Sequence, residues 1–420
     1  HSLFGSLDYQ YDALDRLTEE KAASSRQAYA YDATGNRTSR TTYASSNGTE
    51  TQITKQTLHY ATDSNRLIQQ STLYPFQADA AGNYTRYSPL KRYTYDDQGR
   101  LSAVINGLSN TGGVPIASYA YNALGQRVLK DVLQGTAHTP YTYLYGPDGQ
   151  VLGQVRYTSN GKKSNASYYV WLDSLPIAQI DLSYDAAGTT IASTTLSYLH
   201  SDHLNTPRLA TNQDGNLVWS WQSDAFGLGN PLDDNNSIDV ILRFPGQVAD
   251  AQSGLYYNYF RDYHPGTGRY VESDPIGLRG GLNSYSYVSG NPLTRLDIFG
   301  LTQEDIDDML ELASTMEPDL KIPDEVTVKD LGTDIYGGSI VGFTNPLTKN
   351  ISLDDRYLKT LTCPQYLDLY EQITHESIHA TRPRHDMILR PSTHQDIYDD
   401  AARRTAAASR VIRMYCPCEK

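Results

Sequence analysis

Cysteine is scarce in this chain of 420 residues: there are three, Cys363, Cys416 and Cys418, all beyond position 360. An odd count placed so late excludes a disulfide framework. Cys416-Pro-Cys418 has one intervening residue where zinc knuckles and redox motifs have two, and it reads as a frayed tail. A redox clip to Cys363 and an accessory metal ligand are its alternatives. Long apolar runs are missing too. None approaches the ~20 residues of a membrane span, and residues 1–20 lack the charged start and apolar core of a signal peptide. There is no basic excess: 35 Lys and Arg face 48 Asp and Glu, a net charge of -13. That balance excludes a protein that holds nucleic acid by bulk charge, because phosphate neutralisation needs a basic surface. Phenylalanine is rare, with 7 residues, beside 34 tyrosines. The length itself predicts two or three domains with ample core.

The tyrosines recur in a phrase. Tyr9-Gln-Tyr11-Asp12-Ala-Leu-Asp-Arg16-Leu17 is followed by Tyr29-Ala-Tyr31-Asp32-Ala-Thr-Gly35-Asn-Arg37. Tyr93-Thr-Tyr95-Asp96-Asp-Gln-Gly99-Arg100 and Tyr119-Ala-Tyr121-Asn122-Ala-Leu-Gly125-Gln-Arg127 repeat it, with weaker echoes at Tyr145–Gly149 and Tyr184–Gly188. Each phrase ends a strand with both rings on one face and continues through an Asp-x-x-Gly turn into the next strand. Such repetition predicts stacked hairpins sharing a continuous sheet. The rings are read as core and ladder packing, with sugar binding on exposed rings as the alternative.

These phrases resemble the YD repeats of the Rhs family, related to the shells of bacterial Tc toxins and of teneurins. The resemblance continues through Tyr198-Leu-His-Ser-Asp202-His203-Leu-Asn-Thr-Pro207-Arg208, Trp219-Ser-Trp221 to Gly227, Arg243–Gln247 and Gly254–Tyr270. It closes with Asp274-Pro-Ile-Gly-Leu278, Gly281–Tyr287, Asn291-Pro292 and Asp297-Ile298-Phe-Gly-Leu301. It implies a mainly β fold for residues 1–301, the C-terminal part of a shell that winds a β-sheet into a cocoon. Asp202 and His203 are then shell residues. The chain opens inside a repeat at His1, which reads as a fragment, because a shell begun there would leave a sheet edge exposed.

In this family the second of two DPxGL-like signatures marks a self-cleavage, and here the resemblance implies a cut between Leu301 and Thr302, within a cleavage region at 269–301. Asp274 stands in the first signature and Asp297 in the second. Two carboxyls brought close do not both ionise easily, so one acts as acid while the other activates water. Arg269, just upstream, is the residue expected to fix which one keeps the charge. Ile298 replaces the family's usual proline, which loosens the turn and leaves the carboxylate. The alternative is that both aspartates merely cap turns.

Beyond Leu301 the tyrosine phrases stop and the pattern predicts a small α+β domain at 302–420. Thr302 caps an acidic helix start, β-like stretches follow at 325–328, 339–343 and near Ile351, and helical patterns follow from Pro364 and Pro391. His375-Glu376-Ser-Ile-His379 is the chemical signature of this region. On a helix the two histidines project from one face as metal ligands, and Glu376 lies beside the open position, where it takes a proton from a zinc-bound water. A solvated polar face is the bland alternative. The pattern resembles zincin metallopeptidases, which implies a Zn²⁺ cofactor and peptide-bond hydrolysis with Glu376 as general base and acid. The third ligand is ranked by helical phase as His394, then Asp400, then His385, whose spacing nearly fits a metzincin except that Arg382 stands where a turn glycine is needed. Asp399 ranks last, because it points away from that face.

The combined expectation is a secreted bacterial effector of the kind used in interbacterial competition through type VI secretion. It is delivered into a target cell, where the freed tail acts on proteins. The resemblance implies a cognate immunity protein as partner, and a secretion spike and chaperone bound through preceding sequence. Nucleic acid is not an expected partner. Competing readings are a non-enzymatic YD-repeat adhesion protein, a nuclease toxin using His385-Asp386 and the 394–400 cluster, and a metalloprotease-like fold that only binds its target.

Overall fold

The architecture was read from a computed structural model. It describes residues 5–301, apart from 72–74, 88–89, 108–111, 147–148, 234–237, 276 and 278–280, together with three short strands at 326–329, 342–344 and 351–354. The chain divides into two units, His1–Thr302 and Gln303–Lys420.

The described part of the first unit is β throughout, apart from turns and one 3-10 turn at Val288–Gly290. Strands follow one another in sequence order as antiparallel neighbours. They form a six-stranded sheet from Asp8–Tyr11 to Leu67–Gln70 and a fourteen-stranded one from Gln77–Ala78 to Leu232–Asp233. The repeated phrase supplies the joint. Asp32 Oδ1 accepts from the N–H of Thr34 (3.0 Å) and of Asn36 (2.9 Å), and Gly35 closes the turn at φ +80°. The same clamp recurs at Asp96, Asn122 and Asp202. A side chain that mimics a backbone acceptor is what makes Asx residues turn formers.

In three of the four phrases the first ring is buried and the residue between the rings is exposed: Tyr29 with Ala30, Tyr93 with Thr94, Tyr119 with Ala120; in the first phrase Tyr9 is half-buried. The second tyrosine does something the alternation does not foretell. Its hydroxyl donates to the carbonyl at the start of the preceding strand: Tyr31 to Leu17 at 2.8 Å, Tyr121 to Leu101 at 2.7 Å, Tyr145 to Arg127 at 2.8 Å. The strand register shifts at that same tyrosine, between Ala30 and Tyr31 and between Ala120 and Tyr121. The acceptors Leu17, Leu101 and Arg127 stand at the same shift of the preceding hairpin, opposite Tyr11, Tyr95 and Tyr121; a bulge disrupts the ladder there, and the phenol supplies a donor. Phenylalanine cannot, which accounts for a composition so tilted toward tyrosine.

Described residues between Trp221 and Val288 pack with the large sheet. Trp219, Trp221, Phe244, Tyr256, Tyr263, Tyr270 and Tyr287 join Tyr143 and Tyr169 in one core. Inside this segment a four-stranded antiparallel sheet runs Val248–Asp250, Leu255–Asn258, Arg261–His264 and Arg269–Tyr270. In the second unit Val326–Lys329 pairs in parallel with Ile351–Asp354, which pairs antiparallel with Gly342–Thr344. These strands fall within a few residues of the expected stretches. The helices expected around them, with Cys363, Cys416 and Cys418, lie outside the described residues.

Candidate self-cleavage site

The four-stranded sheet builds the site. Asn258 and Arg261 are register partners on adjacent strands, joined through Tyr259 and Phe260, with Tyr259 in the left-handed region at φ +56°. Both flanking side chains reach the last turn of the unit. Arg261 is fully buried and forks between two carboxylates: Nη1 lies 2.9 Å from Asp274 and Nη2 3.5 Å from Asp297. One guanidinium thus gathers the two aspartates that the sequence places in separate signatures. Its Nε also donates to the Gly300 carbonyl, and its face covers the Tyr270 ring at 3.8 Å.

Asp297 is held at every polar atom named here. Oδ1 accepts from the N–H of Leu301 at 2.8 Å, and Oδ2 from the Tyr270 hydroxyl at 2.6 Å. Asn258 Nδ2 donates to Tyr270 Oη at 2.7 Å and to the Asp297 carbonyl at 2.8 Å. Gly300 turns the chain at φ +70°, where a Cβ would lie 2.6 Å from the Asn258 carbonyl, so only glycine lets the strand and the turn approach this closely. Burial pushes the Asp297 carboxyl up to about 6, aided by the charge of Asp274 and opposed by Arg261, Tyr270 and the Leu301 N–H.

Beyond strand alternation, Asp262 points away from Arg261 and meets Arg127 from the large sheet at 2.9 and 3.0 Å. Arg127 also faces Asp250 at 3.6 Å. Glu272 Oε2 accepts from the Asp262 N–H at 2.6 Å, and burial with the neighbouring Asp262 charge drives its carboxyl well up.

Residues 7–49 match the family described as RHS Repeat. Double-stranded DNA deaminase toxin A of Burkholderia cenocepacia (strain H111) is 29% identical over 322 residues, which cover 71% of this chain and 21% of that protein. Toxin protein Tse5 of Pseudomonas aeruginosa is 26% identical over 336 residues, 71% of this chain and 25% of that one. The comparisons support an Rhs toxin core. The matched part of the chain spans about a fifth to a quarter of the length of these relatives. Its fold is also that of the TcdB2–TccC3 crystal structure, with a TM-score of 0.58 at 24% identity over 70% of this chain and 16% of that one.

Within the first unit the structure brings Asp274 and Asp297 to one cation, and that cation is Arg261. The expectation had put Arg269 there. Arg269 instead donates to the Asn65 carbonyl at 2.6 Å and to Asn36 at 3.4 Å, and lies over the rings of Tyr60 and Tyr285. The reason is strand parity with a turn between: Arg261 shares a strand pair with Asn258, whereas Arg269 leaves its strand toward the six-stranded sheet. Asn258 and Tyr270 were also missed, and nothing in their sequence context marks them apart from other shell residues. Asp202 and His203 are shell parts as read: Asp202 clamps its own turn and pairs with Arg208 at 2.9 Å, and His203 bonds the Leu293 carbonyl at 2.8 Å. Thr302, His375, Glu376, His379, His385, His394, Asp399 and Asp400 lie outside the described residues. No described helix is long and apolar enough to cross a membrane.

Proposed function

We propose that this chain is part of a bacterial Rhs effector whose core cuts itself after Leu301 and frees residues 302–420 as a toxin acting on proteins of a target cell. The observation that carries the first half is the Arg261 fork, with Asp297 bonded to the N–H of the residue that precedes the cut. Asp274, closely paired with the guanidinium, serves as the base that takes a proton from water. The water adds to the Leu301 carbonyl carbon. Asp297, whose carboxyl holds its proton up to about pH 6, gives that proton to the departing Thr302 nitrogen as the C–N bond breaks. This is the division of labour expected where two carboxyls differ in environment.

The second half rests on the donor chemistry of the sequence. His375 and His379, with His394 foremost among the third candidates, are neutral nitrogen ligands of the kind zinc takes in hydrolases. When bound, zinc supplies a water acidic enough to ionise near neutral pH. Glu376 would be the residue that takes up a proton there and passes it to the leaving amine. The names of the relatives, deaminase and deoxyribonuclease among them, belong to those proteins, and the similarity lies in the shell. An immunity protein made by the producing cell and a delivery apparatus complete the proposed setting.

Changing Glu376 to Gln preserves ligand count and charge at the histidines, so the freed tail is expected to keep its metal, measured by elemental analysis, and to lose its toxicity in cells. A fully toxic Glu376→Gln variant would remove the peptidase reading and leave the shell reading intact.

A further inference from the structure

Two of the buried guanidinium groups in the shell that make no ion pair lie against one cavity. Arg37 opens the strand Arg37–Ser46 of the six-stranded sheet, and Arg269 lies on the strand Arg269–Tyr270 of the four-stranded sheet. They are 5% and 4% exposed. Arg127 and Arg261 are buried to the same degree, and each is paired with carboxylates. Among the described residues, neither Arg37 nor Arg269 has a carboxylate within 4.0 Å.

Their hydrogen bonds leave the charge incompletely met. Arg37 Nη2 donates to the Gly266 carbonyl at 2.8 Å, but its Nε and Nη1 are buried with no acceptor, and so is Arg269 Nε. Aromatic rings cover the faces: Phe226 at 4.5 Å and Tyr29 at 5.4 Å from Arg37, Tyr60 at 4.9 Å and Tyr285 at 4.8 Å from Arg269. A ring attracts the cation through its face and accepts nothing from N–H groups in the guanidinium plane. Arginine cannot escape by losing a proton. The positive field there is felt by His264, whose imidazole is pushed down to about 3 by burial and then by the charge of Arg37.

Both arginines line one small cavity of about 20 Å³, shared with Asn36, Tyr60, Gly268 and Tyr285. That is room for a single solvent-sized species. Gly268, at φ +67°, is what brings Arg37 in: a Cβ there would stand 2.7 Å from Arg37 Nη1 and 2.9 Å from Phe226.

We propose that this cavity is a binding site for one small monovalent anion of the size of chloride, held between Arg37 and Arg269. Asp224 feels the charge of Arg37 but pairs with Arg40 at 3.4 Å, so two cations in a low-dielectric site touch no carboxylate, and a water molecule would supply an acceptor but no charge. Oxyanions such as sulfate are too large for the space. The anion fastens the turn of a YD repeat to the strand that leads into Asp274, so it acts as a clasp between two sheets. This inference does not depend on the self-cleavage reading.

The test uses the full chain and bromide as the chloride probe. Crystals grown in sodium bromide are expected to show an anomalous peak in contact with both guanidinium groups. In solution, chloride is expected to raise the thermal midpoint saturably above its value in gluconate of equal ionic strength, as a ligand of the native state must. Arg37→Gln is expected to lose that increment whatever its own midpoint, and Arg37→Lys, which keeps the charge and loses the fork, to need severalfold more chloride for half the effect. Water without anomalous signal, or equal midpoints in chloride and gluconate, would overturn the proposal. A bromide peak with no effect in solution would mean binding at crystal concentration only, and would overturn it equally.

Discussion

Asp297 shows how one residue's surroundings set its chemistry. It keeps a proton to about pH 6 because burial and Asp274 outweigh the Arg261 charge and two donated hydrogen bonds. The arginine is therefore the member of the site whose loss is most informative. Removing it leaves two buried carboxyls without a cation, and Arg261→Met is expected to slow self-cleavage on the order of a hundredfold, read as an uncut band on a denaturing gel. Arg261→Lys, with a charge but no fork, should recover part of it. Glu20 offers a pH test at the same scale, away from the site. Burial raises its carboxyl from 4.5 to about 7, while Oε2 accepts from the Ala225 N–H at 2.8 Å. The folded state holds this proton more tightly than the unfolded chain does. Its contribution is therefore intact below about pH 4.5, is lost as the pH rises to about 7, and is flat above. The loss is on the order of 3 kcal/mol. Glu20→Gln should flatten the dependence of the urea midpoint on pH across that window, and an unchanged slope would show that another group is responsible.

The Tyr-Asp hairpin is the element that repeats, and the sequence made much of it legible. Ring alternation, Asp-x-x-Gly turns and strand order all follow from period-two patterning and turn chemistry. What the pattern could not display was the bond from the second tyrosine back to a carbonyl of the preceding strand, because it depends on register. Tyr95 Oη donates to the Tyr84 carbonyl at 2.8 Å. Tyr95→Phe keeps the ring and orphans the carbonyl, and is expected to destabilise the shell by about 1–3 kcal/mol in urea unfolding; a change below a few tenths would refute the explanation offered for the tyrosine excess. The site was half legible for a related reason. Asp274 and Asp297 sit in local signatures that can be read by eye. Arg261, Asn258 and Tyr270 reach the site through strand pairing and a tight turn, and sequence proximity pointed to Arg269 in their place.

At the scale of the whole molecule, a shell unit and a separate second unit have different sequence grammars. The first is ordered by repeats and matches an Rhs core. The second has its described strands within a few residues of the expected stretches, and the chemistry proposed for it rests on a five-residue motif. The peptide bond after Leu301 lies one residue before the boundary of the two units, and the account stands on its being cut by the carboxyls that Arg261 gathers. The direct measurement is expression of the full chain beside its Asp274→Asn and Asp297→Asn variants, followed by a denaturing gel and intact mass. The parent should give two bands, with the smaller fragment beginning at Thr302, and each variant one uncut band. Unchanged cutting in both variants, or a parent that stays whole, would contradict the account.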